Sequence, residues 1–285
     1  MKSWGRVSLI AFLIGWSLWT PAHGAPTIRR ISLSPPQHMD RADLYFVRSH
    51  PAPNVVLVLC PGCNGNGVEL IRQPAWQRFA EQNGFGLVGL SFSSNPELLS
   101  QGKGYYYPSA GSGEALIRAL RKIYGTLPKL LLFGFSGGAH FVSRFVEWKP
   151  QQVLAWCAYS AAWWDQPAAG KSAPPGIVAC GDEDGTRYGA SLSYFLQGRS
   201  SGKRWTWVSL GKKDHSSSLE LEAFVRDYFA SMILIGSAHT GKDSEWRDND
   251  TKMVVSDSVA AAQSVLTSWF PTRDVGIHWA NLHRP

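Results

Sequence analysis

Apolar residues gather along this chain in short uninterrupted runs at 55–60 (VVLVLC), 86–92, 130–133, 153–158 and 177–180, followed by a Trp/Val-rich run at 204–210. Runs of this length without polar alternation suit strands buried on both faces, as in a mostly parallel sheet. Between them lie segments with helical spacing: Val68–Gln82, Ser112–Tyr124, Gly138–Trp148, Tyr188–Gln197 and Leu219–Ile235. In the second of these, Ala115, Leu116, Ala119, Leu120 and Ile123 share one helical face. The alternation predicts an α/β fold: a doubly wound, mostly parallel sheet with helices on both faces. Two alternating runs near the front, Thr27–Leu33 and Leu44–Val47, flank Pro35-Pro36 and predict an antiparallel hairpin at the sheet edge.

Residues 1–24 break this pattern. Lys2 and Arg6 precede the apolar run Val7–Trp19, and small residues lead to Gly24, an arrangement expected of a signal peptide cleaved before Ala25. The run has about thirteen residues where a spanning helix needs roughly twenty. The expectation is therefore a secreted or periplasmic protein without stable membrane insertion. Residues 25–235 form the expected catalytic domain. Residues 236–285 form an extension that Trp246, Trp269 and Trp279 should pack against it.

Composition narrows the function classes. With 285 residues, 44% hydrophobic and 17% charged, the chain can bury a sizeable core, which excludes disorder as its main state. Its formal charge of +7 falls to +5 without Lys2 and Arg6. No Lys/Arg cluster exceeds two residues, so no nucleic-acid partner is expected. Export makes the four cysteines, Cys60, Cys63, Cys157 and Cys180, candidates for disulfides. Cys157 and Cys180 each end a predicted strand and would face one another if those strands were neighbours. Cys60 and Cys63 form a C-x-x-C spacing, but no second pair or nearby His completes a metal set, so structural disulfides or buried thiols are the expected reading. Neither metal nor cofactor is expected.

The candidate chemistry centres on Gly134-Phe135-Ser136-Gly137-Gly138, a G-x-S-x-G between an apolar run and a helix-like segment. A nucleophile elbow needs this context of strand, turn and helix, with little side-chain bulk two residues either side of the serine. A serine hydroxyl then needs a base, itself oriented by an acid. The acid is sought in Gly181-Asp182-Glu183-Asp184, at a strand's carboxyl end. Asp184 is preferred because it lies far enough past the strand to turn back, with Asp182 and Glu183 as alternatives. Four histidines follow: His215, His239, His278 and His283. His215 sits between the run ending at Leu210 and the helix beginning near Leu219, where the base is required. His140, one turn past Ser136, reads as a packed residue. The oxyanion needs two N–H donors: Gly137, after the nucleophile, and one from the loop Cys60-Pro-Gly-Cys-Asn-Gly-Asn-Gly67, with Cys63 first and Asn64 next.

Together these residues resemble the α/β-hydrolase superfamily, and within it the secreted serine esterases and dienelactone-hydrolase- or depolymerase-like members. The likeness spans roughly Val55–Ile235. It rests on Pro61-Gly62-Cys63-Asn64-Gly65, Gly134–Gly138, Gly181-x-x-Asp184 and Asp214-His215. Many relatives carry His-Gly where this chain has Pro61-Gly62. The resemblance implies a carboxylic-ester hydrolase working through an acyl-serine intermediate, and it adds weight to Asp184 as the acid. A peptidase or thioesterase using the same triad, or an inactive hydrolase-like binding protein, are the alternative readings. Many members of this fold insert a cap after the strand that follows the elbow helix, whereas here Ala161–Pro175 is too short for one. An open cleft is expected, accessible to bulky or polymeric esters. Trp163 and Trp164 would form its aromatic walls, with Tyr106 of the Tyr105-Tyr106-Tyr107 triplet on its rim.

Overall fold

The hydrophobic runs become strands and the helical spacings become helices in the computed structural model, which describes residues 27–47, 53–168, 173–238 and 243–282. The expected leader, residues 1–24, lies outside the described residues. Strands β1 (Ile28–Ser32) and β2 (Arg41–Val47) form the antiparallel hairpin. There follow β3 (Val55–Cys60), α1 (Gly67–Ile71), α2 (Pro74–Gln82), β4 (Gly86–Ser93), α3 (Pro96–Ser100), α4 (Ser112–Tyr124), β5 (Lys129–Phe135) and α5 (Gly137–Trp148). Next come β6 (Val153–Tyr159), β7 (Gly176–Gly181), α6 (Thr186–Ser200), β8 (Trp205–Leu210) and α7 (Leu219–Ala238). The tail contributes β9 (Glu245–Asp248), β10 (Val254–Val255), α8 (Asp257–Ala262), β11 (Thr267–Phe270) and α9 (Arg273–Asn281).

The main sheet has eight strands in the order β1-β2-β4-β3-β5-β6-β7-β8 among the described residues. From β4 to β8 every pairing is parallel, and β2 joins β4 antiparallel. Two hydrophobic cores follow from the pleat, because successive side chains point to opposite faces. Val56, Val58 and Cys60 of β3 enter one core with α4, α5 and α6; Leu57 and Leu59 enter the other with α2, α7 and α9. Between β6 and β7, the described residues 160–168 and 173–175 contain no helix or strand, so no cap covers the sheet there.

Three expectations change. The helix expected over Val68–Gln82 is broken in two at Arg72–Gln73, because Pro74 lacks an N–H and forces Gln73 into an extended conformation, φ −64° and ψ 122°. The disulfides are absent: all four cysteines are free thiols. Although β6 and β7 are neighbours, Cys157 is paired with Ile177, not Cys180. Cys157 and Cys180 point into opposite cores, and Cys60 lies on β3, three strand positions from β7. Cys63 is exposed whereas Cys60 is buried, so the C-x-x-C pair does not close either.

The tail closes the β8 edge. Its three-stranded antiparallel sheet, β10-β9-β11, lies beside β8 without continuing the main ladder. Ser268 Oγ accepts the Trp207 N–H at 2.9 Å, and Trp279 Nε1 donates to the Trp207 carbonyl at 2.7 Å. Trp269, Phe270, Val275 and Trp279 join the core formed by α2 and α7. Covering an edge strand this way removes a template for intermolecular pairing.

Candidate active site

The elbow forms at the carboxyl end of β5. Ser136 adopts φ 53° and ψ −112°, a conformation that non-glycine residues rarely hold. Its N–H donates to the Tyr159 carbonyl at 2.8 Å, which ties the turn to β6. Closeness explains the two outer glycines. A Cβ on Gly134 would sit 2.3 Å from the Gly138 oxygen, and one on Gly138 would sit 2.1 Å from the Cys60 oxygen.

Three distant segments meet here. His215 Nε2 lies 2.9 Å from Ser136 Oγ, and His215 Nδ1 lies 2.9 Å from Asp184 Oδ2. With Nδ1–H donating to the carboxylate, the Nε2 lone pair faces the serine hydroxyl. The Asp184 side chain is 1% exposed and that of His215 33%, so the acid is buried and the base reaches solvent. Phe135 stacks on the imidazole with centroids 5.0 Å apart. Tyr159 Oη donates to the Ser216 carbonyl at 2.6 Å and fixes the loop behind it.

Of the three candidate acids, Asp184 is the one beside His215. Asp182 instead accepts the Lys213 N–H at 3.4 Å, while Glu183 is exposed and its N–H donates to the Lys213 carbonyl at 3.0 Å. These contacts hold the acid loop against the histidine loop. Of the other histidines, His278 pairs with Asp227 at 2.7 Å on the surface. His239 and His283 lie outside the described residues.

Gly137 and Cys63 come together across the site: a Cβ on Gly137 would meet the Cys63 nitrogen and Cα at 2.7 Å. Among the described residues, no protein acceptor takes the N–H of either. Asn64 has another task. Its N–H donates to Tyr105 Oη at 3.0 Å, its Oδ1 accepts from Ser94 N and its Nδ2 donates to Ser94 O, each at 3.0 Å. With φ 55°, Asn64 turns the loop and leaves Cys63 as the free donor.

The aromatic residues divide. Trp163 is 38% exposed, its ring centroid 4.1 Å from that of His140. Trp164 is half-buried, stacks on Tyr194 at 4.3 Å and donates through Nε1 to Ser191 Oγ at 3.2 Å. Tyr106 is not on the rim. It is buried and stacks flat on His140, with centroids 4.5 Å apart, because the chain turns it inward beneath Trp163.

Several residues around the site were not legible beforehand. Arg144, two turns along α5, forms a bidentate pair with Asp165, Nε to Oδ2 at 2.7 Å and Nη2 to Oδ1 at 2.8 Å. This braces the loop carrying both tryptophans. Arg187 Nη1 approaches Asp184 Oδ1 at 3.5 Å, and the Cys180 thiol lies 3.7 Å from Asp184 Oδ2. The i,i+3 spacing of Asp184 and Arg187 at a helix start was the available signal.

His140 carries the clearest electrostatic consequence. Burial first, then the nearby Arg144 and Arg187 guanidinium groups, push its imidazole pKa down to about 3. In the unfolded chain a histidine takes up a proton near pH ~6.5. The folded state is therefore favoured fully above that value and progressively less as pH falls toward 3. Replacing His140 with Gln should flatten the fall of the urea midpoint between pH 6 and 4 relative to the parent. Parallel pH slopes for the two proteins would contradict this role.

The architecture is the α/β-hydrolase fold. No protein-family model matches the chain, and no curated protein matches it significantly in sequence. Solved structures do match. The poly(3-hydroxybutyrate) depolymerase LpqC of Bordetella parapertussis aligns at 16% identity and a TM-score of 0.52, covering 74% of this chain and 90% of that one. The esterase LipW of Mycobacterium marinum aligns at 13% identity and 0.55, covering 73% and 82%. The fluorophosphonate-binding serine hydrolase FphF of Staphylococcus aureus aligns at 12% and 0.52, covering 74% and 99%. At such identities the likeness is one of fold, and activity has to be argued from the site.

Proposed function

We propose that this protein is an exported serine hydrolase that cleaves carboxylic esters through an acyl-serine intermediate. The observation that carries the reading is the continuous relay from Ser136 Oγ through His215 to Asp184, each step 2.9 Å. His215 Nε2 accepts the hydroxyl proton as Ser136 Oγ attacks the ester carbonyl. Asp184 keeps Nδ1 protonated and stabilises the imidazolium. The unbonded N–H groups of Gly137 and Cys63 converge where negative charge develops on the carbonyl oxygen. As the intermediate collapses, the C–O bond to the alcohol breaks and His215 returns its proton to that oxygen. Water, deprotonated by the same imidazole, then attacks the acyl carbonyl; the bond to Ser136 Oγ breaks as His215 returns the proton to it, and the carboxylic acid leaves.

Support for export comes from the sequence of residues 1–24. Support for esters over other acyl compounds comes from the esterase and depolymerase structures that share the fold. A fluorophosphonate probe should label the folded protein at Ser136, located by peptide mass spectrometry, and the His215→Ala variant should react far more slowly. An intact protein that resists the probe, or one labelled elsewhere, would count against the assignment.

A further inference from the structure

A cleft of about 360 Å³ opens between the 162–166 loop and one stripe of α6. It falls within the range of roughly 300–1,000 Å³ common to small-molecule sites. Trp163 forms one wall. Its ring packs on His140, which lies one helical turn past Ser136 on α5. Opposite, Ser193 and Gln197 stand one turn apart on α6, both exposed, with Gln197 Nε2 donating to Ser193 Oγ at 3.2 Å. That bond leaves Gln197 Oε1 and the Ser193 hydroxyl hydrogen for a ligand. Gln166 adds a second exposed amide from the loop.

Charge and polarity decide what such a cleft takes. Asp165 is the one acidic side chain among the described residues of its lining, and both its oxygens already hold Arg144. The described lining residues include no Lys or Arg to attract an anion, and Asp165, paired with Arg144, offers little to a cation. A purely apolar ligand would leave the amides and hydroxyl without partners as water is displaced. A neutral polyhydroxylated ring meets every condition. Its polarised C–H face packs on the exposed indole, and its hydroxyls both donate and accept beside Gln166, Ser193 and Gln197. The cleft is also held open in advance: the Arg144–Asp165 pair braces one wall, and Trp164, stacked on Tyr194 and bonded to Ser191, braces the floor. Preorganisation of this kind lowers the cost of binding.

The geometry points to a saccharide subsite lined by Trp163, Gln166, Ser193 and Gln197, which makes esterified carbohydrates the substrate class. The inference rests on the ester-hydrolase reading of Ser136, yet the subsite is testable without turnover. The full-length Ser136→Ala protein is titrated with cellotetraose, xylotetraose, mannotetraose and chitotetraose, followed by indole fluorescence and calorimetry. At least one tetrasaccharide should bind with a Kd of about 1 mM or tighter. Adding Trp163→Ala should weaken binding about tenfold or more, and Gln197→Ala on the exposed helix face about threefold, with circular dichroism unchanged. No binding of any of the four up to about 20 mM, or binding that neither substitution weakens, overturns the subsite. Labelling of the parent enzyme by the fluorophosphonate separates the two readings. A labelled enzyme that binds no saccharide loses the subsite and keeps the hydrolase, whereas an unlabelled protein that binds in the manner described keeps the subsite alone.

Discussion

Ser136→Ala and His215→Ala should each lower kcat/KM on a carboxylic ester by about 10⁴-fold or more, and the double variant should be little worse than either single one. The reason is the shared relay: without the hydroxyl there is no nucleophile, and without the imidazole no group accepts its proton. The residual rate would come from the Gly137 and Cys63 N–H groups alone. Steady-state kinetics of the three variants test this, and substantial turnover in either single variant would refute the roles given to these residues. Stability should behave differently from activity. Ser136 holds φ 53° with ψ −112°, so its backbone is strained. Both Ser136→Ala and Ser136→Gly remove the hydroxyl, and only glycine relieves the backbone. The glycine variant should therefore be more stable than the alanine variant by about 1 kcal/mol and melt at a higher temperature, strain relief exceeding glycine's greater freedom in the unfolded chain. Equal melting temperatures would show that the turn stores no strain.

Gly138→Ala should be the most damaging small substitution near the site. Its new methyl would lie 2.1 Å from the Cys60 carbonyl oxygen and 2.7 Å from that of Pro61, both backbone atoms at the end of β3. Neither can rotate away, so β3 and α5 must separate. The expected cost is ~3 kcal/mol, a fall of roughly 6–12 °C in Tm for a domain of this size. Activity should fall with it, because the displaced loop carries the Cys63 N–H. Gly189→Ala provides the control. It lies on α6 with open space around it, and there alanine should leave Tm unchanged or raise it slightly. Thermal melts of the pair separate the close approach from the general effect of replacing a helical glycine.

Not every part of the arrangement could be reached from local pattern. The three adjacent tyrosines show the difficulty. Tyr105 and Tyr106 are both buried, the first bonding Asn64 and the second stacking beneath Trp163, and no periodicity distinguishes a rim residue from these. The tail is a second case. Strand β9, Glu245–Asp248, carries a charged sequence, and it pairs because β10 and β11 flank it. The Arg144–Asp165 brace joins residues 21 apart whose meeting depends on how the loop after β6 folds back over α5.

Sequence alone determined the strand–helix alternation, the strand positions of the main sheet to within a few residues, the elbow around Ser136, and the chain order that singled out His215. Each is written locally, in hydrophobic period or in the steric demands of one tight turn. Tertiary structure decided which of three acids stands beside the histidine, which N–H groups remain unbonded, which tryptophan faces solvent, and that the cysteines stay apart. Those outcomes depend on sheet register, on the face each pleat presents and on loops meeting across 20 to 80 residues, and these relations exist only once the strands have paired.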